Sequence, residues 1–350
     1  MERLLEAPLY PALYLATLSL HLAVISFPLG GAVILPLLEP ARGSAAEVLR
    51  DVIRRPLALS IVLAITAGVA PLLFLQVLYP EAFCAAGAIL GLWRPCLVAA
   101  LAIAIILACL VRSALFRRWS LGARLAVELG ILLSLGAVGM VFTISRQLGE
   151  RADLWRERAA DADLWSLLWS ALPGGAMVLL SAVVGCGVWV LWLLRRSQKR
   201  GQISPGERFA AEETVLWICL PLTLAITGGI PLVLGDGGAP LLRRGLIVAS
   251  ALTAVGFALR LRRLALGRLL ATAAALCALA GILLVREARR VDLLGEAFDP
   301  GSLAAAAEKG GIVAFIVCTL LSAGAIAWTV RIALWEPDGD TGASAGREIS

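Results

Sequence analysis

A single histidine, His21, is the residue in this chain best suited to chemistry, because the 350 residues hold no other. It stands in an apolar run from Tyr10 to Leu38. An ionisable ring in hydrocarbon is costly, and it marks either a functional position or a bond to a neighbouring helix. A neutral imidazole can ligate haem iron through one ring nitrogen or relay a proton. One histidine supplies one axial ligand, so a six-coordinate b-type haem would need Met140 or Met177 opposite His21, and otherwise the iron is five-coordinate. The seven cysteines (Cys84, Cys96, Cys109, Cys186, Cys219, Cys277 and Cys318) are scattered, with no Cys-x-x-Cys and no Cys-x-x-Cys-His. That spacing excludes covalent c-type haem and a zinc site, so no metal beyond a haem iron is expected. Cys84 and Cys96 read either as a disulfide near one face or as buried small hydrophobes.

A second constellation follows in the next apolar run, Gly68-Val69-Ala70-Pro71-Leu72-Leu73-Phe74-Leu75-Gln76-Val77-Leu78-Tyr79. Pro71 removes a backbone donor and frees a carbonyl that needs another partner. Gln76 and Tyr79 lie toward the far end of this run. If the first two runs pair as an antiparallel hairpin, His21 and Gln76 share one half of the bilayer. A buried amide also serves as interhelical glue. Glu128, inside a later apolar run, is expected to pair with Arg124 one turn earlier. Glu212 and Glu213 are read as opening the sixth helix, where acids complement the dipole. Pro28 with Gly30 and Gly31, and Pro221 with Gly228, Gly229 and Pro231, are expected to break the first and sixth helices, a feature that transporters use.

The elements that must position these groups are membrane helices. Mean hydropathy is +0.90, 60% of residues are apolar and only 16% are charged, well below the roughly 25% of soluble domains. A bilayer core about 30 Å thick needs about 20 apolar residues per helix. Segments near 10–38, 57–79, 96–112, 122–145, 165–194, 211–234, 243–260, 266–285 and 311–335 meet or approach that length. The fold class is therefore all-α, a polytopic transmembrane bundle of about nine spans. The apolar runs are continuous rather than alternating, which excludes a β-barrel.

The net charge of +6 is placed for topology, not for nucleic acid. Alternate loops hold clustered basic residues: Arg42, Arg50, Arg54 and Arg55; Arg112, Arg117, Arg118 and Arg124; Arg195 to Arg208; Arg260 to Arg268. The positive-inside rule assigns these to the cytoplasm, with the N-terminus outside and the C-terminus inside. The lipid bilayer is the one partner that composition requires. Trp93, Trp165, Trp169, Trp189 and Trp192 read as an interfacial belt.

Along the chain, residues 1–196 form a five-helix bundle, 197–210 a basic cytoplasmic loop and 211–335 a four-helix bundle. Residues 336–350 read as a disordered acidic tail. Ser204-Pro205-Gly206 reads as a turn and helix start. Residues 146–163 read as a short surface helix laced by ion pairs, and 286–309 as an outer loop.

Two stretches resemble subunit I of the cytochrome bd quinol oxidases. Leu13-Tyr14-Leu15-Ala16-Thr17-Leu18-Ser19-Leu20-His21 through Phe27-Pro28-Leu29-Gly30 is similar to that family's first helix, where the histidine at this point is a haem ligand. The Gly68–Tyr79 run, continuing through Phe83 and Ile89, is similar to its second helix and following loop. Gly174-Gly175-Ala176-Met177 resembles its fifth helix. The motif-bearing part covers about a quarter of the chain. The resemblance implies a multi-pass protein of the bacterial inner membrane, a subunit of a respiratory electron-transfer complex with redox partners, linked to quinol. It implies a single haem b on His21. Leu97 to Val111 lacks the family's acids, Trp165 and Trp169 stand where its fifth-helix histidine is expected, and the Gly-Arg-Gln-Pro-Trp quinol signature is absent. An oxygen-reducing oxidase by itself is therefore not expected. A cofactor-free structural subunit and a transporter or channel are the rival readings.

Overall fold

Hydropathy dictates long helices, and the computed structural model shows them. It describes residues 9–91, 93–150, 164–234, 240–294 and Gly324. Among the described residues nine α-helices run in order: α1 (Leu9–Leu38), α2 (Ser44–Leu78), α3 (Pro80–Leu90), α4 (Trp93–Arg112), α5 (Leu121–Glu150), α6 (Leu164–Lys199), α7 (Pro205–Leu234), α8 (Pro240–Leu261) and α9 (Ala265–Leu294). No strand occurs among the described residues. All of these helices except α3 are long and apolar enough to span a bilayer. These eight match the first eight expected spans; the ninth, 311–335, the tail and most of the 146–163 segment lie outside the described residues.

The surface confirms the solvent. Val98 is 70% exposed, Leu133 71% and Trp165 70%, while Glu39, Glu128, Glu212 and Glu287 are buried. Such an inverted distribution is unstable in water and normal in hydrocarbon. Hydroxyls inside the helices bond to their own backbone, as in Thr17 to the Leu13 carbonyl, Thr143 to Gly139 and Thr223 to Cys219, so they need no partner in lipid.

Local chemistry sets the turns. Gly43, with φ 114°, starts α2 in a conformation that suits glycine. The last carbonyls of α1 lack helical donors; Arg50 supplies them, its Nη1 lying 3.1 Å from the Leu38 oxygen and 3.0 Å from the Glu39 oxygen. At the start of α7 the Ser204 nitrogen donates to Glu207 (2.8 Å) and the Glu207 nitrogen to the Ser204 hydroxyl (3.2 Å), a reciprocal capping box. That bears out the expected helix start. Glu212 is not at the helix opening but two turns in, buried against Arg260 and Arg208.

The expected breaks do not occur. α1 continues through Pro28 and Pro36, α2 through Pro56 and Pro71, and α7 through 205–234. Gly30 instead permits close packing: a Cβ there would lie 2.2 Å from the Ala182 carbonyl oxygen of α6. α8 and α9 pack extensively, with Gly256 against the backbone of Ala271 and Gly267 against that of Arg260. The helices on either side of the 197–210 loop pack together, α6 on α7 and α2 on α7. Cys84 and Cys96 are free and exposed rather than bridged or buried; among the described residues Cys186 and Cys219 are the buried thiols.

Candidate functional site

The α1–α2 hairpin places His21 against the face of α2 that carries Ala64 and Gly68. The imidazole Nδ1 is 3.0 Å from the Ala64 carbonyl oxygen. A carbonyl only accepts, so the neutral ring carries its proton on Nδ1 and keeps the Nε2 lone pair. Gly68 makes the seat: a Cβ there would lie 2.9 Å from Cε1 and 3.1 Å from Nδ1 of the ring. Chemically, His21 is a donor nitrogen oriented from behind by a backbone carbonyl.

The other expected ligands sit elsewhere. The Met140 methyl packs at Gly175 of α6, and Met177 at Gly229 of α7. No described contact joins either sulfur to the imidazole, so neither methionine is brought beside His21. Pro71 is buried in α2. Gln76 is exposed, on the side of α2 that carries exposed Leu72, Leu73 and Val77. It turns outward, because the helix rotates it away from the Ala64–Gly68 face.

Tyr79, just past the end of α2, is buried and donates to the Glu287 carboxylate. Arg290 completes this group, its Nη1 lying 3.1 Å from Glu287 and 3.3 Å from the Tyr14 hydroxyl. Its guanidinium stacks 5.0 Å from the centre of the Tyr79 ring. Arg286 donates to the same Tyr14 hydroxyl at 2.9 Å. Burial first, and then the Glu287 charge, hold the Tyr79 phenol above its usual range, so it remains a donor. Tyr14 precedes His21 by seven residues, about 10 Å along one helix face. Arg286 and Glu287 belong to α9 and not to an outer loop, because the helix runs on to Leu294.

Neither the known protein families nor the curated proteins contain a match to this chain. Among the described residues, no three of His, Cys, Asp and Glu converge as a metal site.

A second buried group lies at the opposite end of α1. Arg54 donates to Glu39 and, through Nη2 at 2.6 Å and Nε at 3.2 Å, to Glu128. Arg124 Nε is 2.9 Å from the other Glu39 oxygen. The expected Arg124–Glu128 pair is therefore replaced by a cross-over: each residue of α5 takes its partner from the hairpin. Arg54 is not a loop charge that merely sets topology but a helical residue, 7% exposed, over the Phe116 ring. Trp189 and Trp192 likewise bond helices, to the Ala23 carbonyl (2.9 Å) and the Thr272 hydroxyl (3.0 Å).

Proposed function

We propose that this chain is a membrane subunit of a bd-oxidase-like, quinol-linked electron-transfer complex of the bacterial inner membrane. His21 is the residue that would hold a single haem b. The observation that supports this reading is the Nδ1 bond to the Ala64 carbonyl. Metal-ligating histidines characteristically donate their other ring N–H to a carbonyl or carboxylate, which fixes tautomer and orientation. A haem would supply one-electron transfer; His21 would hold it through Nε2, and Gly68 would keep the ring in place. The positive-inside rule orients the subunit with the Arg54 and Arg260 end in the cytoplasm and the Tyr79 end outside. Redox partners would complete the complex, since this chain alone lacks the family's other ligands.

The test is a reduced-minus-oxidised visible spectrum of protein expressed with ample haem and its native neighbours. We expect a b-type α-band that disappears in His21→Ala. Gly68→Val, whose side chain occupies the ring's seat, should lose most of the band while the helical circular dichroism stays intact. A folded, haem-free protein would instead favour a cofactor-free structural subunit. That second reading draws on the matching of buried Arg54 and half-buried Arg124 with buried Glu39 and Glu128, which ties helices together without any cofactor.

A further inference from the structure

At the arginine-rich end, the start of α7 and the end of α8 enclose a cavity of about 230 Å³, lined by Gly206, Phe209, Glu212, Glu213, Arg260 and Arg263 among others. Three guanidinium groups surround the Phe209 ring, Arg208 at 4.2 Å, Arg263 at 5.1 Å and Arg260 at 5.5 Å. Glu212 accepts from Arg260 and lies 3.6 Å from Arg208. Arg263 is exposed, holds a left-handed φ of 62° at the α8–α9 turn, and has no carboxylate partner among the described residues. Behind it Arg268 is 3% exposed, stacked 4.7 Å from the Trp192 ring, with its Nε unbonded.

The charges here do not balance as they do around Arg54. Arg260 and Arg263 line the hollow with Glu212 and Glu213, and Arg208 and Arg268 beside it add a positive excess that an anion would offset. The adjoining surface indicates what carries that anion. Trp217, one helical turn beyond Glu213, is 62% exposed, and Leu264 and Leu266 are 50% and 65% exposed. A hollow bordered by an excess of arginines, above an apolar flank, matches a lipid with its headgroup at the interface and its chains along the helices.

We propose that this cavity binds the phosphate of an anionic phospholipid, with Arg260 and Arg263 as its donors. Glu213, also in the lining, selects a headgroup with hydroxyl donors, as in phosphatidylglycerol. The site is independent of His21.

The experiment is native mass spectrometry of delipidated protein in mild detergent, titrated separately with phosphatidylglycerol, phosphatidylcholine and soluble glycerol 3-phosphate. One phosphatidylglycerol per chain should be retained, more tightly than phosphatidylcholine, with glycerol 3-phosphate not competing. Arg263→Gln should weaken retention about fivefold, the share of one interfacial arginine. Arg117→Gln, which removes an exposed charge paired with Asp51 on α2, should leave it unchanged. Equal retention of phosphatidylcholine, none of phosphatidylglycerol, or equal loss in both variants overturns the site. Displacement by glycerol 3-phosphate overturns the lipid as its source.

Discussion

Replacing Arg54 by methionine will destabilise the bundle by about 3–5 kcal/mol, the usual cost of leaving a buried charge without its partner. Glu128 is 1% exposed and receives both of its bonds from Arg54, while Glu39 retains Arg124. Methionine preserves most of the apolar volume against Phe116, so the loss reports the charge and not a cavity. The partner experiment isolates the pair: Glu128→Gln added to Arg54→Met should return about 1–3 kcal/mol. Thermal unfolding in detergent measures both. If the double variant is as unstable as the sum of the singles, Arg54 and Glu128 do not act together and the network is wrong.

Gly30→Ala should be the most damaging single-methyl addition in the α1–α6 contact. The new carbon would meet the Ala182 carbonyl at 2.2 Å and the Cys186 Cβ at 2.6 Å. Backbone cannot swing aside, so the helices must separate, at about 1–3 kcal/mol or more. Two other glycines calibrate the effect. At Gly175 the nearest atom is the Met140 methyl at 3.2 Å, the end of a flexible chain, and Gly139 has nothing within 4 Å. Gly175→Ala should therefore cost little, and Gly139→Ala should stabilise its helix by up to about 1 kcal/mol. Equal melting temperatures for the Gly30 and Gly139 variants would contradict the close approach of α1 to α6.

Hydropathy located the helices but not their ends. α2 begins at Ser44 where the apolar run begins near 57, and α9 continues to Leu294 where it fades near 285. The additional turns contain Glu47, Arg50 and Arg54, or Glu287 and Arg290, which a hydropathy window counts as loop. They are helical because their buried charges are satisfied there: Arg50 by the end of α1, Arg54 by Glu128 of α5, and Glu287 and Arg290 by each other and by Tyr79 and Tyr14, contacts that a hydropathy window does not weigh. The site divides in the same way. His21 was legible from its solitude, but its seat was not, since Ala64 is 43 residues away and set by the register of the hairpin. Tyr79 was singled out without its partner, Glu287, 208 residues further along. Gln76 stood out as His21 did, a polar side chain in an apolar run, but it lies eight residues beyond Gly68 and on another face of α2.

Arg54 also imposes an order on assembly. When α1 and α2 have entered the membrane, its guanidinium can engage Glu39, 15 residues earlier in the chain. The rest of its bonding waits for Glu128, 74 residues later. The newborn hairpin thus carries an open valence on Arg54. Docking of α5 closes it, and an intermediate lacking α5 is marked as unfinished by the same charge that later locks the finished fold.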